Sequence, residues 1–408
     1  MAKLALLGGT PVRTIPYMQW PFSDDREIQA VTEVIRSGKW FRYDGTKVEE
    51  FEKAFAEAHG AAHAIAVTNG TAAIEVALLS LGIGVGDEVI VPSYTFIATA
   101  SAVVYNNATP VFVDVQPDTF NIDPKCFEAA ITEKTKAVIA VHFAGFPADM
   151  DEIISIAKKH NIYVIEDAAH AHGGEYKGKM LGSIGDAAGF SFQASKNMTS
   201  GEGGAILTND TVLAEKMYSR HTLGRLPERA WYEHFMVGTN IRMTEMQAAI
   251  LLVQLSRLHQ QTKERLVNAK ILDKCVSTFP SELGLMRPCC PDTEKRAYHL
   301  YMLKYLQGGA LADVSREIFV KAMLAEGLII STGYKFPLYK QEMFSTTPWG
   351  INQKTKYEEM HHPVAEHAMK ESLWINQQVL VGDDSQVNDI TAAIEKIIEN
   401  AAELKGIG

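Results

Sequence analysis

Short apolar runs rich in β-branched residues alternate with amphipathic stretches between residues 64 and 208. Runs this uniformly apolar are typical of strands covered on both faces, and strands that alternate with helices form a largely parallel sheet. The seven runs are AIAVT (64–68), EVIVP (88–92), VFVDV (111–115), KAVIAVH (136–142), IYVIED (162–167), AAGFSF (187–192) and GAILT (204–208). The pattern predicts the α/β fold class, with a three-layer α/β/α domain around a mostly parallel seven-stranded sheet.

A second periodicity, with apolar residues three and four positions apart, predicts the helices. It is present in TAAIEVALLSLG (71–82), in ADMDEIISIAKKHN (148–161) and in a long stretch over 244–272. Beyond this stretch the pattern is mixed, with strands HLYMLKYL (299–306) and LIISTG (328–333) and helices ADVSREIFVKAMLAEG (312–327) and 384–404. We therefore expect a large domain over residues 1–260, including the N-terminal segment, and a smaller α+β domain over 261–408.

Charge and composition narrow the possible functions. The 408 residues carry a formal net charge of −10 without a polybasic block, which argues against nucleic acid or an anionic membrane as the main partner. No apolar run reaches the roughly 18 residues of a membrane helix, and the N-terminus is unlike a signal peptide, so we expect a cytoplasmic protein. The four cysteines lack C-x-x-C spacing, and His170 and His172 lack a third ligand, so no metal is predicted.

Three of the predicted strand ends carry residues suited to chemistry, and ligands of layered α/β domains collect at the carboxyl ends of strands. Gly70 and Thr71 open a helix whose free amide groups can bind an anion, although an ordinary Asn-Gly turn has the same sequence. Asp167 ends a buried run and needs a cationic partner, either a ligand or a structural ion pair. Lys196 follows another buried run. A lysine at the edge of a core can attack carbonyls, whereas an isolated loop lysine is usually solvated.

Pyridoxal 5'-phosphate would use all three features. Its aldehyde reacts with a lysine amine, its phosphate suits a helix start, and its ring nitrogen stays protonated opposite a carboxylate. We therefore hypothesise that pyridoxal phosphate is the cofactor and that it is bound covalently to Lys196.

Five segments, taken in order along the chain, resemble the DegT/DnrJ/StrS-type sugar aminotransferase family. The segments are VTNGTAAIEVAL, EVIVPSYTFIATA, EDAAHAHG, FSFQASKNMTSGEGG and GTNIRMTEMQAAI. The resemblance extends over about residues 15 to 400 and is strongest in the large domain. It implies a pyridoxal phosphate enzyme of the aspartate aminotransferase fold (fold type I).

The resemblance implies a role for each matching residue. Lys196 matches the lysine that forms the Schiff base with the cofactor and then moves the proton at the substrate carbon. Asp167 matches the partner of the ring nitrogen. Gly70, Thr71 and Ser191 match the residues that hold the phosphate.

Three further matches carry departures from the family or an implication for assembly. Phe96 matches an aromatic residue that stacks on the cofactor ring, where many relatives have Trp. His170 matches a position that is often Gln and binds near the ring hydroxyl, and here it could stack or donate instead. Asn240 matches a residue that reaches the phosphate of the neighbouring subunit, which implies a homodimer with shared active sites. The segment STGYKFPLYK (331–340) matches a substrate-facing loop from which we assign no catalytic residue.

The reaction implied by the resemblance moves an amino group from L-glutamate or L-glutamine to a ketone of a sugar or cyclitol, as in amino-sugar, aminocyclitol or antibiotic biosynthesis. The segments LALLGGTPVRT and HPVAEHAMKESLWINQQVLVG are similar to the cyclitol branch. An alternative is an aminohydroxybenzoate-synthase-like dehydratase acting on an amino-cyclohexenone, because those relatives share FSFQ, EDAAHAHG and GEGG. A nicotinamide oxidoreductase is disfavoured because the glycines of GIGVGDEVIV precede a strand. A non-catalytic relative is disfavoured by the retained lysine and aspartate.

Overall fold

The computed structural model describes residues 2–286, 293–346 and 356–407, so Cys289 and Cys290 lie outside the described residues. The strands are β1 (His63–Val67), β2 (Glu88–Pro92), β3 (Thr109–Val113), β4 (Thr135–Val141), β5 (Tyr163–Asp167), β6 (Glu175–Tyr176), β7 (Lys179–Met180), β8 (Ala187–Ser191), β9 (Gly204–Thr208), β10 (Leu283–Leu285), β11 (Glu294–Lys295), β12 (Leu300–Tyr305) and β13 (Ser372–Asn376). The helices are α1 (Asp25–Ser37), α2 (Lys47–His59), α3 (Gly70–Ser80), α4 (Ala98–Tyr105), α5 (Pro124–Ala129), α6 (Met150–His160), α7 (Thr211–His221), α8 (Glu245–Val276), α9 (Arg316–Ala325), α10 (Met343–Thr346), α11 (Pro363–Glu371) and α12 (Ser385–Glu399).

The large sheet has the strand order β1-β9-β8-β5-β4-β2-β3. β9 pairs antiparallel with β1 and β8, and the remaining neighbours pair in parallel. Each of the seven predicted runs overlaps one of these strands. The predicted mostly parallel seven-stranded sheet is therefore confirmed.

Helices cover both faces of this sheet. Along β2, Val89 and Val91 pack in one core with residues of α3 and α4, whereas Ile90 between them packs in another core with residues of α6. Alternate side chains of a strand point to opposite faces, so the two cores are the two interfaces of a three-layer structure.

One edge of the sheet collects the ends of several strands. The parallel strands β4, β5 and β8 end there at Val141, Asp167 and Ser191, and the antiparallel β9 begins there at Gly204. In the register of the sheet, Val141 lies beside Asp167 and Ser191 lies beside Gly204. This edge is therefore where the predicted site residues of separate segments come near each other.

A second sheet, of strand order β10-β12-β13, follows α8. Both of its pairings are antiparallel, and its strands share a buried core with α9 and α12. The predicted helix over 384–404 is α12 followed by a short 3-10 helix at Ala401–Leu404. The predicted α+β character of the C-terminal part is thus present in the structure.

The predicted strand LIISTG is wrong. Ser331 alone forms a bridge, with Trp374 of β13, through backbone hydrogen bonds of 2.9 and 2.8 Å. The chain then turns away at Gly333, whose φ of +76° is open to glycine and where a Cβ would lie 2.6 Å from the Trp374 ring. The segment that does pair with β12 on this side is β13, which the apolar pattern did not predict.

The N-terminal segment, which we predicted to belong to the large domain, contacts the C-terminal part of the chain. The buried Glu326 carboxylate accepts hydrogen bonds from the amides of Ala5 (2.9 Å) and Val12 (3.0 Å), and Arg13 forms an ion pair of 2.6 Å with Asp389. Helix α8 runs through residue 260, so the division at residues 260/261 stays a prediction.

Two further expectations concern membrane-spanning helices and the cysteines. Within residues 2–286, 293–346 and 356–407, no helix combines the length and the apolar composition needed to cross a membrane. Cys126 and Cys275, which the structure describes, are free thiols.

Candidate active site

Lys196 lies on a turn that follows β8. Its amide donates to the Gln193 carbonyl (2.9 Å), and its own carbonyl accepts from the indole Nε1 of Trp20 (3.2 Å). Its side chain is half-buried, and loss of hydration lowers the pKa of its ammonium from 10.5 to about 8, while the charge of Asp167 acts in the opposite direction. A lysine in this environment can act as a nucleophile at mildly alkaline pH.

Asp167 is the last residue of β5 and is 6% exposed. Its Oδ2 accepts a hydrogen bond from the Thr99 hydroxyl (2.7 Å), and its Oδ1 accepts one from the Ala169 amide (3.2 Å). Burial raises the pKa of the carboxyl above 3.8, because the hydrogen bonds and the nearby Lys196 offset only part of the lost hydration. A cation placed opposite this carboxylate would stabilise its anionic form.

Gly70, Thr71 and Ser191 meet at the start of α3. Asn69 caps the helix by accepting from the Ala72 amide (2.8 Å), and the amides of the first helical turn have no acceptor within the helix. A Cβ added to Gly70 would lie 2.8 Å from the Ser191 Cβ. This close approach of the Gly70 backbone to the Ser191 side chain at a helix N-terminus suits a phosphate group.

The first residue of β9, Gly204, packs directly against the backbone at the start of α3. A Cβ added to Gly204 would lie 2.4 Å from the carbonyl atoms of Asn69 and 2.9 Å from the amide nitrogen of Gly70. Only a glycine allows the two backbones to pack this closely. The conformation of the predicted anion site therefore depends on a strand that is more than 130 residues further along the chain.

His170 stacks on His299, with ring centroids 4.2 Å apart and an interplanar angle of 27°. Burial lowers the pKa of both imidazoles well below 6.5, so both rings are neutral at physiological pH. Nδ1 of His170 accepts from the Ala144 amide (3.2 Å), so the proton of this ring is on Nε2, where it can be donated to a ligand.

His299 is fixed as the opposite tautomer. The side-chain amide of Asn197 donates to the Ala297 carbonyl (2.7 Å), so its Oδ1 faces Nδ1 of His299 (3.2 Å) and accepts a hydrogen bond from the protonated Nδ1. Nε2 of His299 therefore carries a lone pair. The two stacked rings offer one donor and one acceptor, and Asn197 is the residue next to Lys196.

Sequence reasoning missed Thr99, Asn197 and His299. Thr99 lies within EVIVPSYTFIATA and Asn197 within FSFQASKNMTSGEGG, so both belong to segments that already carried the family resemblance. The available signals were a hydroxyl in an apolar helix start and a histidine at the beginning of the apolar run HLYMLKYL. Neither signal reveals which distant residue the hydroxyl or the imidazole contacts.

Phe96 and Asn240 are the predicted site residues that the structure leaves at the surface. Phe96, in the loop between β2 and α4, is 56% exposed. Asn240 is exposed and forms a backbone bridge with Thr222, and it makes no hydrogen bond with another predicted site residue. Stacking by Phe96 and phosphate binding by Asn240 stay predictions.

The predicted substrate-facing loop contributes Tyr334. Its ring packs on those of Tyr94 (5.5 Å), Phe143 (6.0 Å) and Trp374 (4.8 Å). Burial raises the pKa of this phenol, and the negative charge of Asp167 acts in the same direction. Tyr94 follows β2 and Phe143 follows β4, so these ring contacts place the loop at the sheet edge that carries Asp167, although the loop comes from the C-terminal part of the chain.

The buried carboxylate at the end of β5, the lysine on the turn after β8 and the start of α3 fit a transferase of the pyridoxal phosphate type. The profile described as "DegT/DnrJ/EryC1/StrS aminotransferase family" matches residues 21–395, so the chain belongs to this family of aminotransferases. Membership implies pyridoxal phosphate as the cofactor, and the residues found at the strand ends fit it.

Individual relatives agree with the family assignment. The chain is 37% identical to an L-glutamine:2-deoxy-scyllo-inosose aminotransferase of Streptoalloteichus tenebrarius, over 98% of this chain and 99% of the relative. It is 38% identical to the spore coat polysaccharide biosynthesis protein SpsC of Bacillus subtilis, over 95% and 98%. Among solved structures, an aminotransferase from Psychrobacter cryohalolentis superposes with a TM-score of 0.88 at 35% identity, over 95% of this chain and 100% of that one.

Proposed function

We propose that this aminotransferase moves an amino group from L-glutamine, or from L-glutamate, to the ketone of a cyclitol or sugar. We further propose that pyridoxal phosphate is bound covalently at Lys196 and that Asp167 faces its ring nitrogen. The observation that carries the proposal is the convergence at one sheet edge of three features: the buried Asp167 carboxylate that ends β5, the contact of Gly70 with Ser191 at the start of α3, and Lys196 on the turn after β8. Burial shifts the pKa values of Asp167 and Lys196, and each of these two groups shifts the pKa of the other.

Different residues of the chain would bind the cofactor phosphate and move the proton. When bound, pyridoxal phosphate supplies an aldehyde that accepts an amino group and a ring that delocalises negative charge. The amides of Gly70 and Thr71 and the hydroxyl of Ser191 would hold the phosphate. The Nζ of Lys196 would act as the base that takes up and returns the proton at the reacting carbon.

The remaining side chains control the electronics and orientation of the site. The Asp167 carboxylate would keep the ring nitrogen cationic, so that negative charge is stabilised where it develops. Nε2 of His170, which carries the proton of this ring, would donate a hydrogen bond to the cofactor near its ring hydroxyl. In this pairing the buried Asp167 gains the cationic partner that would lower its pKa again.

The choice of substrates rests on the relatives. The chain covers nearly the whole length of an enzyme whose name specifies L-glutamine as donor and 2-deoxy-scyllo-inosose, a cyclitol ketone, as acceptor. A relative of similar identity acts in polysaccharide biosynthesis by its name, so sugar ketones stay among the candidates.

The test supplies the purified protein with pyridoxal phosphate, glutamine and a panel of inososes and keto-sugars, and analyses the products by mass spectrometry. Glutamine labelled with nitrogen-15 at the α-amino group should pass its label to a cyclitol, whereas label at the side-chain amide should stay behind. Lys196→Ala and Lys196→Arg should abolish the transfer. Asp167→Asn should slow the transfer by removing about 3 kcal/mol of transition-state stabilisation.

The same experiment decides against the proposal if no acceptor of either class is labelled. An aromatic product formed from an amino-cyclohexenone, without transfer of nitrogen, would instead support the aminohydroxybenzoate-synthase-like dehydratase.

We also propose that the enzyme is a homodimer in which Asn240 completes the site of the other subunit. Asn240 follows a surface segment whose apolar side chains are unusually exposed for a single chain, among them Tyr232 (84% exposed) and Val237 (85% exposed). Exposed apolar clusters of this kind are typical of interfaces between proteins.

A further inference from the structure

Both oxygens of Asp167 are held by the protein itself. Thr99 donates to Oδ2 at 2.7 Å and the Ala169 amide donates to Oδ1 at 3.2 Å. Thr99 is fully buried, and Asp167 is nearly so. A short hydrogen bond to a buried carboxylate is among the stronger polar contacts of a protein.

The donor and the acceptor of each hydrogen bond in this contact can be deduced. A threonine hydroxyl has one proton, and Thr99 uses it to donate a hydrogen bond to Asp167. The Thr95 Oγ1 lies 3.3 Å from the Thr99 Oγ1, so Thr95 must be the donor of this second hydrogen bond. The two hydroxyls form a relay from Thr95 through Thr99 to Asp167, and donors in series strengthen one another.

The three residues of the relay lie on elements of the buried sheet layer or directly next to them. Thr95 lies in the loop after β2, Thr99 is in the first turn of α4, and Asp167 ends β5. Strand β4 lies between β2 and β5 in the sheet, so the relay joins the ends of two strands that are not neighbours. The β-branched side chain of a buried threonine has a restricted χ1, so its hydroxyl stays directed at the carboxylate.

We propose that Thr99, supported by Thr95, is a positioning residue that keeps Asp167 anionic and aimed at the ring nitrogen of the bound cofactor. The inference rests on the proposed function, because it requires Asp167 to face that nitrogen. Without the hydroxyl, a buried carboxylate with one remaining donor would favour its protonated form, which cannot pair with a cationic ring.

The test compares the binding of two ligands to the cofactor-free protein by calorimetry. One ligand is pyridoxal phosphate, and the other is an analogue in which C–H replaces the ring nitrogen. Thr99→Val, which exchanges the hydroxyl for a methyl group of the same shape, should weaken binding of pyridoxal phosphate by roughly tenfold or more and leave binding of the analogue unchanged. Thr99→Ser should restore wild-type binding of both.

The sheet offers a matched control. Thr208 is also buried and also donates a hydrogen bond of 2.7 Å, to the Asp186 carbonyl, but at the opposite edge of the sheet. Thr208→Val should bind both ligands like the wild type. If Thr99→Val does not fold, Thr95→Val, which removes only the outer donor, should show a smaller loss of the same kind.

Asp167→Asn distinguishes the possible failures. If Asp167→Asn weakens pyridoxal phosphate selectively but Thr99→Val weakens both ligands equally or neither, the relay has no positioning role and the proposed function stands. If Asp167→Asn also fails to discriminate between the ligands, Asp167 does not face the ring nitrogen, and the assigned role of Asp167 falls together with the inference.

Discussion

Burial and mutual attraction have opposite effects on the pKa values of Lys196 and Asp167. Burial favours the neutral form of both groups, whereas their mutual attraction favours the charged form of both. For Lys196 burial is the stronger effect, so its pKa falls to about 8. The amine is thereby reactive close to physiological pH without losing its anionic neighbour.

This balance predicts the pH dependence of Lys196. The rate of its reductive alkylation by a small aldehyde and cyanoborohydride should rise with pH, with a midpoint near 8. Because the charge of Asp167 raises the pKa of Lys196, Asp167→Asn should move the midpoint to lower pH. Peptide mass spectrometry measures the modification, and the exposed Lys179 of the same protein is the internal reference. An unchanged midpoint in Asp167→Asn would show that the two groups do not interact.

The residues that sequence reasoning found and those it missed differ in one respect. Lys196, Asp167 and Gly70 are recognisable because each follows an apolar run and has a side chain or backbone that such a position does not need. Thr99 and His299 became visible only once their partners were known, since a hydroxyl or imidazole is equally common in ordinary cores. Their roles depend on contacts with residues 68 and 102 positions away along the chain.

At the scale of elements, the proposed anion site depends on the contact between β9 and the start of α3. Gly204→Ala places a methyl group 2.4 Å from the Asn69 carbonyl, and backbone atoms cannot move aside without shifting the helix start. We expect a loss of about 1–3 kcal/mol of unfolding free energy, together with weaker binding of inorganic phosphate to the cofactor-free protein. Denaturant titration and calorimetry measure the two effects.

Gly84→Ala is the control for this substitution. Its added methyl group would lie 3.5 Å from the nearest atom, the Asn106 carbonyl oxygen, which is an ordinary contact. Stability and phosphate binding should therefore remain close to wild type. Wild-type phosphate affinity in a folded Gly204→Ala protein would show that β9 does not support the anion site.

The elements of the large sheet were predictable because buried parallel strands leave uninterrupted apolar runs. The small sheet was harder to predict, since LIISTG and the sequence of β13 have similar β propensity. The pairing partner of β12 was decided by tertiary packing, with Gly333 turning one segment away beside Trp374.

At the scale of the whole molecule, the dimer can be tested by mixing two inactive proteins. Lys196→Ala lacks the amine, and Asn240→Ala lacks the predicted contact to the other subunit. If Asn240 acts across the interface, co-expression of the two variants gives heterodimers with one intact site, so activity should return. Differently tagged chains and tandem affinity purification isolate the heterodimer for assay.

The same mixture can contradict the arrangement. If Asn240 served the site of its own subunit, no heterodimer would contain an intact site and activity would stay absent. Light scattering of the wild-type protein is the accompanying measurement, and a monomeric mass would refute the shared site directly.

The attachment of the N-terminal segment limits how the protein can be recombined with its relatives. Ala5 and Val12 are bound to Glu326, Arg13 is bound to Asp389, and Trp20 reaches from the same segment to the carbonyl of Lys196. A chimaera that exchanges only the residues after α8, in order to transplant substrate preference, would join a foreign docking surface to the native leading segment. Both ends of the polypeptide therefore need to be inherited from the same parent.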